Sequence, residues 1–236
     1  LFEREVAVFY VGTGTAANSL ALSAFNRPGG VVLCHGEAHI MVDECGAPEF
    51  FAHGSRLAPV AGPGGMMEPA ALRRALAGFD PAFVHGGRPV AVSISQSAES
   101  GALYAPTTVQ EIASIAHEHG LAVHMDGARF ANAVAALRIS PAEASWKAGV
   151  DVLSFGGTKN GCWCAEAIVF FDREKAADFA FNHKRAGQLF SKSRFVSAQF
   201  DAYLADGLWL SLAGHANAMA DALRTGCLLY TSDAAD

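Results

Sequence analysis

Seven short apolar runs alternate with longer amphipathic stretches over the first three quarters of this 236-residue chain. The runs, at 6–11, 30–34, 56–60, 89–95, 121–126, 151–155 and 165–171, are rich in β-branched and aromatic residues. They lack clean polar–apolar alternation, as strands buried on both faces do. Helical patterns fall at 15–25, 68–77 and 107–119; the last carries Val109, Ile112, Ala113 and Ala116 on one face and stops at Gly120. Such alternation requires right-handed crossovers, so it predicts an α/β fold: a mostly parallel sheet with helices on both faces. Beyond 171 the pattern turns helical, at 174–185 and from about 194 to 223. The expectation is one domain over 1–227, with 228–236 an extraneous tail. Because the chain opens on Leu1 inside structured sequence, both ends are expected to be cut.

Composition narrows the function classes. Hydrophobic residues make up 51% and charged residues 17%, which excludes a disordered chain. A net charge of −6 without a basic run argues against nucleic-acid backbones as partners. Gly, Pro or charge interrupts every apolar run before the ~18 residues of a membrane span. Five cysteines, odd in number and scattered, suit reduced thiols in the cytoplasm.

Ligands of such sheets sit beyond the carboxyl ends of the strands, so the polar residues found there matter most. After the first strand comes Gly12-Thr13-Gly14-Thr15-Ala16-Ala17-Asn18, opening a helix. Its small residues, hydroxyls and helix N-terminus suit a phosphate, although an ordinary tight turn reads the same way. After the fifth strand comes His124-Met125-Asp126-Gly127-Ala128-Arg129. A carboxylate buried there needs a cationic or hydrogen-bonding partner, either a protonated ring nitrogen or Arg129 itself. Arg129 alternatively offers a planar fork to a substrate carboxylate. After the sixth strand comes Gly156-Gly157-Thr158-Lys159-Asn160-Gly161. A Lys set among small residues between two apolar strands is placed to form a Schiff base, and an exposed loop Lys is the plainer reading. Cradle, Asp and then Lys 33 positions further on are together what pyridoxal 5'-phosphate requires. Nothing has metal-ligand spacing: Cys162-x-Cys164 is too close and solitary, and His117 and His119 point to different helix faces. No metal site is expected.

The ordered set resembles the low-specificity L-threonine aldolases, in the β-eliminating-lyase branch of fold-type I pyridoxal-phosphate enzymes. The similarity runs from about Val6 to Gly226 through four segments: Phe9–Asn18, Glu37-Ala38-His39-Ile40 with Glu44, His124–Arg129 and Phe155–Gly161. Thr13 stands where Ser is commoner, and Met125 where Leu is. The resemblance implies a large cofactor-binding domain in which Thr13, Gly14 and Thr15 hold the phosphate. Asp126 pairs with the ring nitrogen, His39 stacks on the ring, and Lys159 binds the aldehyde. The substrate is a small β-hydroxy-α-amino acid whose carboxylate meets Arg129, and the products are glycine and an aldehyde. His39 is the candidate base; His124 is either the alternative base or a support for Asp126. A homodimer or homotetramer is implied, with Lys184, Arg185, Lys192 and Arg194 as basic residues that can approach a phosphate. The family's N-terminal segment and small C-terminal domain have no counterpart in this sequence. An aminotransferase or β-elimination lyase shares these features, and a non-catalytic nucleotide-binding module shares the Gly-Thr loop.

Overall fold

The computed structural model describes residues 1–80 and 82–233. Seven strands form one sheet: β1 (Ala7–Val11), β2 (Gly30–His35), β3 (Arg56–Val60), β4 (Arg88–Ser95), β5 (Ala122–Gly127), β6 (Val152–Gly156) and β7 (Glu166–Phe170). Their order is β1-β7-β6-β5-β4-β2-β3. All seven predicted strands are present, each within a residue or so of its expected bounds. The run from β6 through β3 is parallel, whereas β7 lies antiparallel to both β6 and β1. The connection 157–165 carries only a 3₁₀ turn, too short for the crossover that parallel pairing needs. Two reversals restore direction, so β1 runs the same way as β6. The loops after β1, β5 and β6 therefore open at one end of the sheet.

Helices α1 (Gly14–Ser23), α2 (His39–Val42), α3 (Ala47–Phe51), α4 (Pro69–Ala77), α5 (Pro106–Glu118), α6 (Phe130–Leu137), α7 (Phe179–Arg185), α8 (Arg194–Leu204) and α9 (Leu208–Asp233) cover the sheet. Strand alternation sorts the core between its two faces. Val123 and Met125 of β5 point toward Leu72 of α4, Ile112 of α5, Phe130 of α6 and Phe200 of α8. Leu20 and Ala21 of α1 pack with Phe179 of α7 against Ile168 and Phe170 on the other face. Each fully buried large side chain contributes roughly 1.5–3 kcal/mol of apolar transfer energy. His124 and Asp126 share the α1 face of β5, because they alternate with Val123 and Met125.

Local chemistry sets the helix limits. Thr13 caps α1, its hydroxyl accepting the Ala16 N–H at 3.1 Å. Pro106 opens α5, and Gly120, at φ +69°, follows its end. The single stretch expected from 194 to 223 is two helices, because Asp206 and Gly207 take φ of 51° and 72° between them. Helix α9 continues through Asp233, so part of the expected tail is helical and 234–236 lies outside the described residues. Among the described residues, no helix is long and apolar enough to cross a membrane.

Candidate active site

The three loops converge on a cavity of about 320 Å³ whose wall includes Thr13, Thr15, His39, Asp126 and Lys159. Larger clefts occur elsewhere on the surface, but this one holds the chemistry. The convergence depends on glycine. A Cβ on Gly156 would meet the Ala128 Cα at 2.7 Å and its carbonyl oxygen at 2.8 Å. The turn bearing Asp126 thus rests directly on the backbone that leads to Lys159. Any larger residue at 156 would push the two apart.

The Thr13–Thr15 backbone forms the first turn of α1, and a Cβ on Gly14 would meet nothing within 4 Å. The helix N-terminus, with its unpaired N–H groups, is therefore open to an anion. The Gly12 N–H is already taken by Gln188 Oε1 at 3.0 Å. Asp126 is buried, accepting the Ala128 N–H at 3.0 Å and Asn18 Nδ2 at 3.1 Å. The same Asn18 amide donates to Glu44 Oε1 at 2.8 Å. Glu44 Oε1 also lies 2.8 Å from His39 Nδ1. One amide thus joins two buried carboxylates, and one of those orients the histidine. Burial raises the Glu44 carboxyl above its ordinary range, against the bonds from Asn18 and His39.

Lys159 sits in the 3₁₀ turn Thr158–Asn160. Asn160 Nδ2 anchors that turn, donating to the Tyr203 hydroxyl at 2.6 Å and to the Trp209 carbonyl at 2.9 Å. Glu166, at the start of β7, lies buried in the cavity wall. Burial raises its carboxyl while hydrogen bonds from Thr158 hold it down. The sequence reading missed Glu166 because it lies within an apolar run.

His124 does not line the cavity. It is fully buried, with Nδ1 2.8 Å from Ser93 Oγ and Nε2 2.9 Å from Ser154 Oγ. Burial depresses its pKa to about 4, partly offset by Asp126. Both ring nitrogens are engaged away from any ligand, which corrects the expectation that His124 is an alternative base. Arg129 does not pair with Asp126. It makes a two-pronged ion pair with Glu99 at 3.0 and 2.8 Å, and sequence reasoning had no signal for that partner. Among the described residues no cluster of His, Cys, Asp or Glu has the geometry to hold a metal ion.

This sheet order, with a strand-end Asp and a Lys one strand later at the same cavity, is the fold of the fold-type I pyridoxal-phosphate enzymes. The chain belongs to the beta-eliminating lyase family, whose model matches residues 1–232. It is 50% identical over 224 residues to the low specificity L-threonine aldolase of Pseudomonas sp. (strain NCIMB 10558), covering 94% of this chain and 64% of that protein. Against the Pseudomonas aeruginosa protein of the same name it is 50% identical over 218 residues, 92% of this chain and 62% of the relative. The structure of Leishmania major threonine aldolase superposes with a TM-score of 0.86 at 29% identity, covering 96% of this chain and 65% of that one. The chain therefore spans a little under two thirds of the length of these curated relatives.

Members of the family depend on pyridoxal phosphate, and the residues present fit it. The cavity supplies a helix N-terminus for a phosphate, an amine for an aldehyde and a buried carboxylate for a ring N–H. Asn18 Oδ1 and Glu44 Oε2, two buried oxygens beside Asp126, have no hydrogen-bond partner among the described residues. Such orphaned acceptors are costly unless a bound group supplies donors.

Proposed function

We propose that the whole protein is an aldolase that cleaves L-threonine, L-allo-threonine or related β-hydroxy-α-amino acids to glycine and an aldehyde. The observation that carries this reading is the meeting of Lys159, Asp126, His39 and the Thr13–Thr15 turn at one cavity. The relatives named as threonine aldolases support the choice of reaction.

Each residue has a distinct task. Thr13, Gly14 and Thr15 would receive the phosphate, and Lys159 Nζ would hold the aldehyde. Asp126, which accepts from the Ala128 N–H and from Asn18 Nδ2, would hold the ring N–H. Pyridoxal phosphate, when bound, supplies the electron sink for the pair released as Cα–Cβ breaks. His39 takes the β-hydroxyl proton at Nε2, the ring nitrogen that Glu44 leaves free. Glu44 fixes the tautomer and supports the charge that His39 acquires, as an orienting carboxylate does. Arg129 receives the substrate carboxylate.

We infer a homodimer or homotetramer in the cytoplasm. Exposed Trp163, Phe181 and Phe195 support an interface, and an odd, scattered set of five cysteines suits a reducing compartment.

Lys159→Ala in the full-length protein tests the reading. It is expected to abolish visible cofactor absorbance and borohydride-fixed label; unchanged absorbance removes Lys159 from its role. Acetaldehyde released from L-threonine supports the aldolase, whereas pyruvate released from L-serine would favour a β-elimination lyase.

A further inference from the structure

The Arg129 guanidinium already holds a carboxylate. Glu99 Oε1 lies 3.0 Å from Nη1 and Oε2 lies 2.8 Å from Nη2, the paired geometry that an amino-acid carboxylate would adopt. Neither side chain makes another hydrogen bond within the described residues. Both are about 30% exposed, so water and solutes reach the pair.

The loop carrying Glu99 is tied down independently of it. The Gln96 N–H donates to the Asp126 carbonyl at 2.8 Å. The Gln96 side chain clasps the Tyr104 backbone through two bonds, and Ser100 Oγ donates to the Gly64 carbonyl at 2.6 Å. Releasing the Glu99 carboxylate therefore breaks only its bonds to Arg129. The bonds from Arg129, with the charges of Arg129, Lys159 and His39 added, hold the Glu99 carboxyl below its ordinary range.

We propose that Glu99 is an internal stand-in for the substrate carboxylate, holding the Arg129 fork in the empty enzyme and giving it up when an amino acid binds. This rests on the functional reading above and adds a carboxylate exchange to the same site. Exchange of one carboxylate for another is nearly balanced. A ligand without a carboxylate gains nothing at Arg129 and leaves the internal pair in place. The arrangement thus lowers affinity for carboxylate ligands, which must displace Glu99 from Arg129, and leaves a ligand that does not engage Arg129 unaffected. An internal competitor multiplies apparent affinity by the fraction of open sites. For a partly exposed ion pair worth about 1 kcal/mol, affinity falls about fivefold.

The test uses the full-length, cofactor-loaded protein with Glu99→Gln and Glu99→Ala. Glycine is titrated by its effect on cofactor absorbance, and acetate by thermal shift. Both variants are expected to bind glycine about fivefold more tightly than the parent, with KM for L-threonine falling in the same proportion, and to be stabilised by lower acetate concentrations. Unchanged or weaker binding of both ligands overturns the proposal, because a merely structural residue would loosen the site when removed. Failure of both variants to fold also overturns it. A parent enzyme whose absorbance ignores glycine refutes the functional reading instead, and the acetate comparison then decides the exchange alone.

Discussion

Glu44 Oε1 stands 2.8 Å from His39 Nδ1 and 2.8 Å from Asn18 Nδ2, so one buried oxygen ties the candidate base to the network that holds Asp126. His39 is partly exposed at the cavity, while the Glu44 side chain is fully enclosed. That asymmetry separates a group that exchanges protons from one that orients it.

Glu44→Gln is therefore expected to lower kcat for L-threonine roughly 10–100-fold, the usual cost of losing an orienting carboxylate. Cofactor absorbance should be retained, since Gln still accepts from Asn18. Full activity would show that His39 acts without Glu44.

The contact between Gly156 and Ala128 gives a second prediction. Gly156→Ala forces a Cβ into backbone at 2.7–2.8 Å, and backbone yields less readily than a side chain. A loss of about 2–3 kcal/mol in urea unfolding is expected, the range for overpacking. Cofactor affinity should fall further than stability alone accounts for, because the Asp126 and Lys159 turns separate. A variant with normal affinity would show that the spacing of these turns is not set there.

The strands were legible because both faces are buried and each run is apolar throughout. Asp126 and Lys159 were legible because chain order places them after adjacent strands. Strand direction at β7 was also open to reading, since 157–165 has no room for a crossover helix. Helix α6 was missed because its Phe-Ala-Asn-Ala-Val-Ala-Ala-Leu sequence follows a motif that drew attention to its polar residues. The break at Asp206–Gly207 was hidden because the apolar pattern resumes in helical phase beyond it. Glu99 was out of reach for a different reason. Its partner lies 30 residues away, and nothing local marks an exposed Glu as paired.

His124 predicts an acid-side loss of stability. Its folded pKa is about 4, against roughly 6.5 unfolded, so between these values the unfolded chain binds a proton that the native state refuses. The stability is fully present above about pH 6.5 and is lost as pH falls toward 4. The change amounts to about 3 kcal/mol over that window. His124→Gln should flatten this part of the profile, whatever its effect at neutral pH. Parallel Tm curves for parent and variant between pH 4 and 7 would remove His124 as the cause.

Asn18 gives the sharpest electrostatic prediction. Its amide donates to Glu44 and to Asp126 at 2.8 and 3.1 Å, so Asn18→Asp keeps the shape while placing a third carboxylate between two buried ones. Among the described residues, His39 is the only basic side chain hydrogen-bonded to that cluster. Charging the new group is then unfavourable, and a loss of about 3 kcal/mol at pH 7 is expected, as for other uncompensated buried charges. The sign of the pH effect separates this from simple loss of hydrogen bonds. Protonation relieves repulsion, so the deficit should shrink as pH falls from 7 toward 5, opposite to the trend set by His124 in the parent. Asn18→Ala removes the same donors without adding charge and should show no such recovery. A deficit in Asn18→Asp that stays constant with pH, or matches that of Asn18→Ala, would mean that the carboxylates tolerate a third and that Asn18 serves only as a donor.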